Sequence, residues 1–389
     1  MPDRTEPTRR TNRPPNAAPR GASVEERLEN EVQASTERPG VRHAIVGVRS
    51  ADGALDRVFA AGAEEGEPVH PDAPYWIASV TKAFVATVVL QLVEEEAVDL
   101  DAPLAAYLAS ARLRGLHVLD GVDRSEWITV RQALHHASGL PDHLEVAPEG
   151  AKGVLTRVAE GEDLGWTLDD ALDRVRDATP HFPPQALDGR RHRVRYSDTN
   201  FQLLIAVVEA VTGDRFGAAL QARVFGPAGM TATWLPEDGD DGPVPLPVRA
   251  DDAVLRAPAA MRAFRDLVST AADQLAFLQA LHGGRLFRDP TTLEAMHGGW
   301  CAFPFSLNPR PTAPTWPIAY GLGAMRIRLP RVLSPLKPFP TLVGHTGVSG
   351  SWAFYEPATG LATVGTVDQF AAAALPFRFA PKLAEAAAT

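Results

Sequence analysis

Strand-like segments fall near both ends of this 389-residue chain and helix-like segments fill the middle, so one sheet must be assembled from the two termini. Near the N-terminus, His43 to Ser50 is an apolar run, Asp52-Gly53 marks a turn and Leu55 to Ala61 reads as the returning strand. Near the C-terminus, Gly321 to Leu329, Gly350 to Tyr355 and Leu361 to Val367 are strand-like, with Glu356 to Gly360 turning between the last two. Between these ends the periodicity is helical over Thr81 to Glu95, Thr129 to His136, Thr167 to Arg176, Thr199 to Val211 and Thr270 to Leu281. Ser23-Val24-Glu25-Glu26 is a capping box ahead of the stripe Val24, Leu28 and Val32, and Phe370 to Ala388 suit a closing helix. The expected fold is α/β of the α+β type: a mainly antiparallel sheet built from both chain ends, flanked by helices, with an inserted helical lobe. The expected division is a disordered tail over 1–22 and one domain over 23–389. Its sheet lobe takes about 23–78 and 318–389 and its helical lobe about 79–317, with a cleft where they meet.

Composition narrows the function. A net charge of −10 argues against a nucleic-acid surface, and no run of 18 apolar residues predicts a membrane span. Cys301 is the only cysteine, which excludes an intrachain disulfide and a cysteine-based zinc site. Residues 1–22 carry Arg4, Arg9, Arg10, Arg13 and Arg20 among five prolines without an apolar h-region, so the expected location is cytoplasmic. Residues 300–340 hold nine prolines with Trp300, Phe303, Phe305, Trp316 and Tyr320, and are expected to form a lid or binding wall.

Three fragments carry chemistry. In Ser79-Val80-Thr81-Lys82, at the head of an apolar helical run, the serine and lysine are three apart and project from one helix face. A serine hydroxyl needs a neighbouring base to become a nucleophile, and lysine serves when its surroundings lower its pKa. Tyr196-Ser197-Asp198 precedes a helix, where a tyrosine can aim its hydroxyl at a cleft; taken alone it reads as a packed aromatic. Gly344-His345-Thr346-Gly347 lies on a strand-like stretch running into Val348-Ser349-Gly350-Ser351-Trp352. Its glycines permit close approach to a ligand, although taken alone it reads as a strand with a bulge.

In this order the fragments resemble the penicillin-binding, class C β-lactamase-like serine hydrolase family, whose motifs are S-x-x-K, Y-x-N and K-T-G or H-x-G. Ile128 to Asp142 resembles its segment ending in T-S-G-L, Val224 to Thr231 its I-F-x-P-L-G-M-x stretch and Ser269 to Ala276 its S-T-A-x-D-L segment. The likeness runs over roughly residues 40 to 370. It implies that Ser79 is the acylated nucleophile and that Lys82 and Tyr196 remove its proton and return one to the leaving group. It also implies that the backbone N–H groups of Ser79 and Val348 form the oxyanion hole. Asp198, His345, Thr346 and Gly347 would contact substrate, and Trp352 would wall the acyl pocket or pack in the core.

Two positions depart from the family pattern. Asp198 replaces the usual asparagine, and an ionised carboxylate accepts hydrogen bonds but cannot donate them. It would also keep Lys82 charged, which leaves Tyr196 as the expected working base with Lys82 as its cationic support. His345 replaces the lysine of β-lactamases and, with a usual pKa of about 6.5, is mostly neutral at pH 7. His135, His136 and His143 lack a metal-ligand spacing and Glu237 to Asp241 lacks EF-hand order, so no metal or cofactor is expected, and the absence of a G-x-S-x-G elbow removes the α/β-hydrolase reading. The expected protein is a serine hydrolase forming an acyl-enzyme on Ser79, first of all a carboxylesterase on small acyl esters. A D-aminopeptidase or DD-peptidase-like amide hydrolase, or an acyltransferase, is the alternative, and a catalytically silent binding protein the second. The expected partner is a small-molecule ester or amide, not a nucleic acid or a membrane.

Overall fold

Ser23 caps the first helix. Its hydroxyl accepts from the Glu26 N–H at 3.2 Å and the Glu26 carboxylate accepts from the Ser23 N–H at 2.8 Å, which closes the capping box of α1 (Val24–Thr36) and buries Leu28 and Val32. The structure, a computed structural model, describes residues 22–187, 192–237, 242–303, 318–328, 339–370 and 375–388. The arginine- and proline-rich tail over 1–21 lies outside the described residues, as do 238–241 of the acidic stretch and Phe305 and Trp316 of the proline-rich one.

Among the described residues nine strands form one antiparallel sheet. In chain order they are β1 (His43–Arg49), β2 (Asp56–Glu64), β3 (Glu67–Pro68), β4 (Cys301–Ala302), β5 (Ile318–Tyr320), β6 (Met325–Ile327), β7 (Leu342–Thr346), β8 (Trp352–Glu356) and β9 (Leu361–Val367). In space the order is β4-β5-β6-β7-β8-β9-β1-β2-β3. The two chain ends therefore meet at the pairing of β9 with β1, where Ala44 lies opposite Val367 and Arg49 opposite Ala362. Both strands are buried on both sides, which is why they read as continuous apolar runs and not as alternating ones.

The helices that cover the sheet need room made by glycine. On one face α4 (Ala271–His282) packs over Gly47, where a Cβ would lie 2.9 Å from Leu275 and from Val364. On the other, α1 and α5 (Leu375–Ala388) pack together. There the Trp352 ring occupies the space a Cβ on Gly365 would fill and meets Phe379 of α5 at 5.6 Å. Trp352 is fully buried in this core and does not wall an acyl pocket, a correction that follows from strand alternation turning its ring toward α5. Two further helices, α2 (Thr81–Glu94) and α3 (Asp198–Thr212), are apolar nearly all round and are buried accordingly. No helix among the described residues is long and apolar enough to cross a membrane.

Two boundaries differ from expectation. Gly321 to Leu329 is not one strand: the Gly321 N–H donates to the Ala324 carbonyl at 2.8 Å across a tight turn with Gly323 at φ +77°, and β6 begins at Met325. The sheet also takes in Cys301–Ala302, ahead of the 318 boundary, because Cys301 pairs with Tyr320; two residues are too few to show an alternation.

Gly139, in the segment Ile128 to Asp142, has φ +81°, and a Cβ there would lie 1.9 Å from the carbonyl oxygen of Phe182. Strain and overlap act together, so Gly139→Ala is expected to lower stability by about 3 kcal/mol or more. Urea unfolding reads this as a lower midpoint at constant slope; a midpoint within error of wild type would show that the Phe182 strand of chain yields.

Candidate active site

Ser79 lies in the 3-10 turn Ala78–Val80, which leads straight into α2. Ala78 has φ +46°, a sparsely populated conformation for a residue with a Cβ. The turn is held from three sides. The Ile77 N–H donates to the Leu267 carbonyl at 3.0 Å. The Ser349 hydroxyl donates to the Trp76 carbonyl and the Ser351 hydroxyl to the Ile77 carbonyl, each at 2.7 Å. Gly347 allows the approach, since a Cβ there would lie 2.5 Å from the Ile77 oxygen and 2.3 Å from Ser351 Oγ. Ser349 and Ser351 were not singled out in the sequence; the turn Ser349-Gly350-Ser351 was their only signal.

Lys82 follows one turn later. Its Nζ donates to Ser79 Oγ at 2.9 Å and to the Asp198 carboxylate. The Tyr196 hydroxyl donates to the same Ser79 Oγ at 2.9 Å. Three residues that the motifs single out thus meet on one oxygen, with Asp198 behind the lysine. Tyr196 and Asp198 are placed by the start of α3, and that start is clamped by the segment 128–142. The Ser197 N–H donates to His136 Nδ1 at 3.2 Å, the Ser197 and Thr199 hydroxyls donate to the Pro141 carbonyl at 3.0 and 2.9 Å, and Ser138 Oγ donates to Asn200 Oδ1 at 2.7 Å. The His136 ring lies against Tyr196 at 4.4 Å. Among the described residues no three His, Cys, Asp or Glu side chains are grouped to hold a metal ion.

Burial and charge then set the protonation states. Lys82 is 3% exposed; burial alone would discharge it, but the carboxylates of Asp198 and Asp266 outweigh burial and raise its pKa. Burial, reinforced by Asp198, pushes the Tyr196 phenol well above its ordinary value. The resting pair is therefore an ammonium and a neutral phenol. A phenolate at Tyr196 would be both desolvated and next to a carboxylate. Burial also pushes Asp266 up to about 7, against the pull of Lys82. Asp266 was not singled out in the sequence: it belongs to no motif and reaches Lys82 only through the fold.

A small cavity of about 80 Å³ opens over Ser79. Its polar wall includes Tyr196, Asp198, Asp266, Thr346, Gly347 and Val348, and its apolar wall includes Leu144, Leu155, Phe264, Phe303, Ile318, Met325 and Phe377. Ser79 and Val348 face the same space, as two oxyanion donors must. His345 does not line it. Its ring is fully buried, with Nε2 2.8 Å from the Tyr320 hydroxyl and Nδ1 2.7 Å from the Thr346 carbonyl, and burial drives its pKa down to about 3. His345 is thus a neutral support behind β7 and not a donor on the rim, which corrects the expectation for this residue. Of the described residues in the segment 300–340, Phe303, Ile318 and Met325 line the cavity, while Tyr320 sits behind it on His345.

Residues 26–387 match the family model described as Beta-lactamase. The esterase EstB of Burkholderia gladioli is 35% identical over 192 residues, which cover 49% of this chain and 44% of EstB. The matched stretches cover less than half the length of the first curated relatives. Among solved structures, a D-stereospecific amidohydrolase from a Streptomyces species superposes with a TM-score of 0.68 at 28% identity, over 89% of this chain and 94% of that one. The D-amino acid amidase of Ochrobactrum anthropi SV3 superposes with a TM-score of 0.71 at 22% identity, over 93% of this chain and 98% of that one.

The Asp266 carboxyl gives a stability prediction. Its pKa is raised on folding from 3.8 to about 7, so the folded chain holds the extra proton and stability falls as pH rises from about 4 to about 7. Asp266→Asn removes that loss, on the order of a few kcal/mol. Thermal melting is expected to show the variant a few degrees above wild type at pH 8 and level with it at pH 4; equal melting at pH 8 refutes the assignment.

Proposed function

Because this chain belongs to the beta-lactamase family, we propose that it is a serine hydrolase that forms an acyl-enzyme on Ser79, and that it acts as a carboxylesterase on small acyl esters. The observation that carries this reading is the pair of hydrogen bonds that Lys82 and Tyr196 make to Ser79 Oγ beside a small, mostly apolar cavity. Two features favour an ester over a β-lactam. Lys82 is engaged by Asp198 and His345 is buried and neutral, so neither offers a substrate carboxylate a free cation. Asp198 also cannot donate to an amide carbonyl. The likeness to EstB supports the same choice.

The resting charges shape the proton route. As Ser79 Oγ attacks the ester carbonyl carbon, its proton passes to Lys82 while Lys82 passes one of its own to Asp198. Lys82 is charged before and after, and Asp198 holds the proton. The oxyanion is met by the N–H groups of Ser79 and Val348, the first of them at the head of α2, where the helix dipole adds to the effect. When the tetrahedral intermediate collapses, the bond to the leaving oxygen breaks and the Tyr196 phenol supplies that oxygen's proton. Lys82 then reprotonates Tyr196 and Asp198 reprotonates Lys82. Water reverses these steps, and the acid leaves as Ser79 recovers its hydrogen.

A second reading, hydrolysis of amino-acid amides, is favoured by Asp266: a second carboxyl in the cavity suits a substrate ammonium group. The likeness to the Streptomyces amidohydrolase supports it too. A panel of p-nitrophenyl esters, D-amino-acid amides and nitrocefin separates the readings. Short-chain esters are expected to turn over fastest, and faster turnover of D-amino-acid amides would replace the first reading with the second. Ser79→Ala is expected to lower kcat by about a thousandfold or more and Tyr196→Phe by about a hundredfold. Asp198→Asn is expected to cost a similar factor and to move the pH profile of kcat, since the proton store is gone; an unchanged profile refutes that role. A folded wild-type protein that leaves Ser79 unlabelled by a fluorophosphonate would overturn the hydrolase reading altogether.

A further inference from the structure

Phe264 stands between two spaces of different size. On one side is the cavity of about 80 Å³ at Ser79; on the other is a groove of about 610 Å³ whose walls include Trp76, Leu246, Val248, Leu255, Met261 and Phe370. Among the described residues, Phe264 is the one side chain that both walls share. The space at Ser79 is much the smaller of the two, and Phe264 stands between it and the larger one. One apolar cluster runs across the partition, with Leu144 and Leu155 toward Ser79, Val158 and Phe370 toward the groove and Phe264 in the same cluster. Removing the ring would therefore join two apolar spaces and expose no polar barrier between them.

The ring is held in place. It is 7% exposed and packs between Trp76, with centroids 5.3 Å apart, and Trp166, at 5.1 Å and nearly perpendicular. Phe264 ends the helix Pro258–Phe264, and its carbonyl accepts from Gln202 Nε2 at 2.9 Å. The next residue, Arg265, turns the chain at φ +58°; it is paired with Glu209, and its guanidinium lies 5.8 Å from the Phe216 ring centre. Backbone and ring are thus both fixed, as a partition requires.

We propose that Phe264 sets the length of acyl chain this protein accepts, by closing the cavity at Ser79 against the groove behind it. The inference rests on the serine-hydrolase reading above but not on the choice between ester and amide.

The test compares wild type, Phe264→Ala and the milder Phe264→Leu, each checked for folding by thermal melting. Two series are read: kcat/KM for p-nitrophenyl acetate through decanoate, and the rate at which methyl- and decyl-phosphonofluoridates label Ser79 by displacing fluoride. Wild type is expected to favour the short member of each series. The long-to-short ratio is expected to rise at least about tenfold in Phe264→Ala, the discrimination one methylene supplies in an apolar pocket, and by less in Phe264→Leu. Adding Met261→Trp, which fills the groove, is expected to reverse that gain. A folded Phe264 variant with the wild-type ratio in both series overturns the proposal. Absent ester turnover with a shifted labelling ratio supports the role of Phe264 and removes the esterase reading. Ser79 left unlabelled in folded wild type overturns both.

Discussion

A single buried cation organises this protein. Lys82 is almost wholly enclosed, and an ammonium taken out of water is tolerated only when charge and hydrogen bonds replace its hydration. Those replacements come from distant parts of the chain: Ser79 from its own helix start, Asp198 from the head of α3 and Asp266 from the turn after the helix Pro258–Phe264. A buried pair of this kind is weak as a source of stability, since two packed apolar side chains do as well or better. Its presence is better explained by chemistry. It holds a proton donor and a proton acceptor in contact, beside the one hydroxyl in the cavity that two donors already polarise.

The rest of the site is a scaffold for keeping that contact in register. The turn before Ser79 stores backbone strain at Ala78, and strain of this kind persists only where neighbours over-determine the conformation. The neighbours are the hydroxyls of Ser349 and Ser351, which reach from the sheet to two successive carbonyls ahead of the nucleophile. The same turn carries Val348, so one short stretch fixes both Ser79 and a candidate oxyanion donor. On the opposite side, His136 and Pro141 receive the first hydrogen bonds of α3 and so aim Tyr196 at Ser79. Sheet and helical segments are thereby coupled through Ser79 Oγ.

Much of this was legible in the chain and some was not, for physical reasons. Features set by local geometry could be read directly: the capping box at Ser23, the twice-buried strands, the one-turn spacing of Ser79 and Lys82. Features that depend on what lies across the fold could not. Trp352 and His345 sit beside motif residues in sequence, yet Gly365 and Tyr320 draw their rings into the interior. The acidic character of Asp198 was visible and its grip on Lys82 was foreseen, but the protonation of Tyr196 follows from burial, which no single fragment reveals. Asp266 and Phe264, adjacent but for one left-handed arginine, belong to no motif at all, and only the turn at Arg265 brings the first to the lysine and the second to the cavity wall.

The charge balance in the cavity follows from the same constraint. Lys82 is paired with Asp198, and burial pushes the neighbouring Asp266 carboxyl up to about 7. As pH rises through that value Asp266 adds negative charge to a cavity whose other polar lining is Tyr196, Asp198 and the stretch Thr346 to Val348. An anionic substrate then meets repulsion at the carbonyl-binding end and finds no free cation among the lining residues to offset it. A carboxylate at Asp198 therefore bears on the charge of the cavity as well as on the pairing of Lys82.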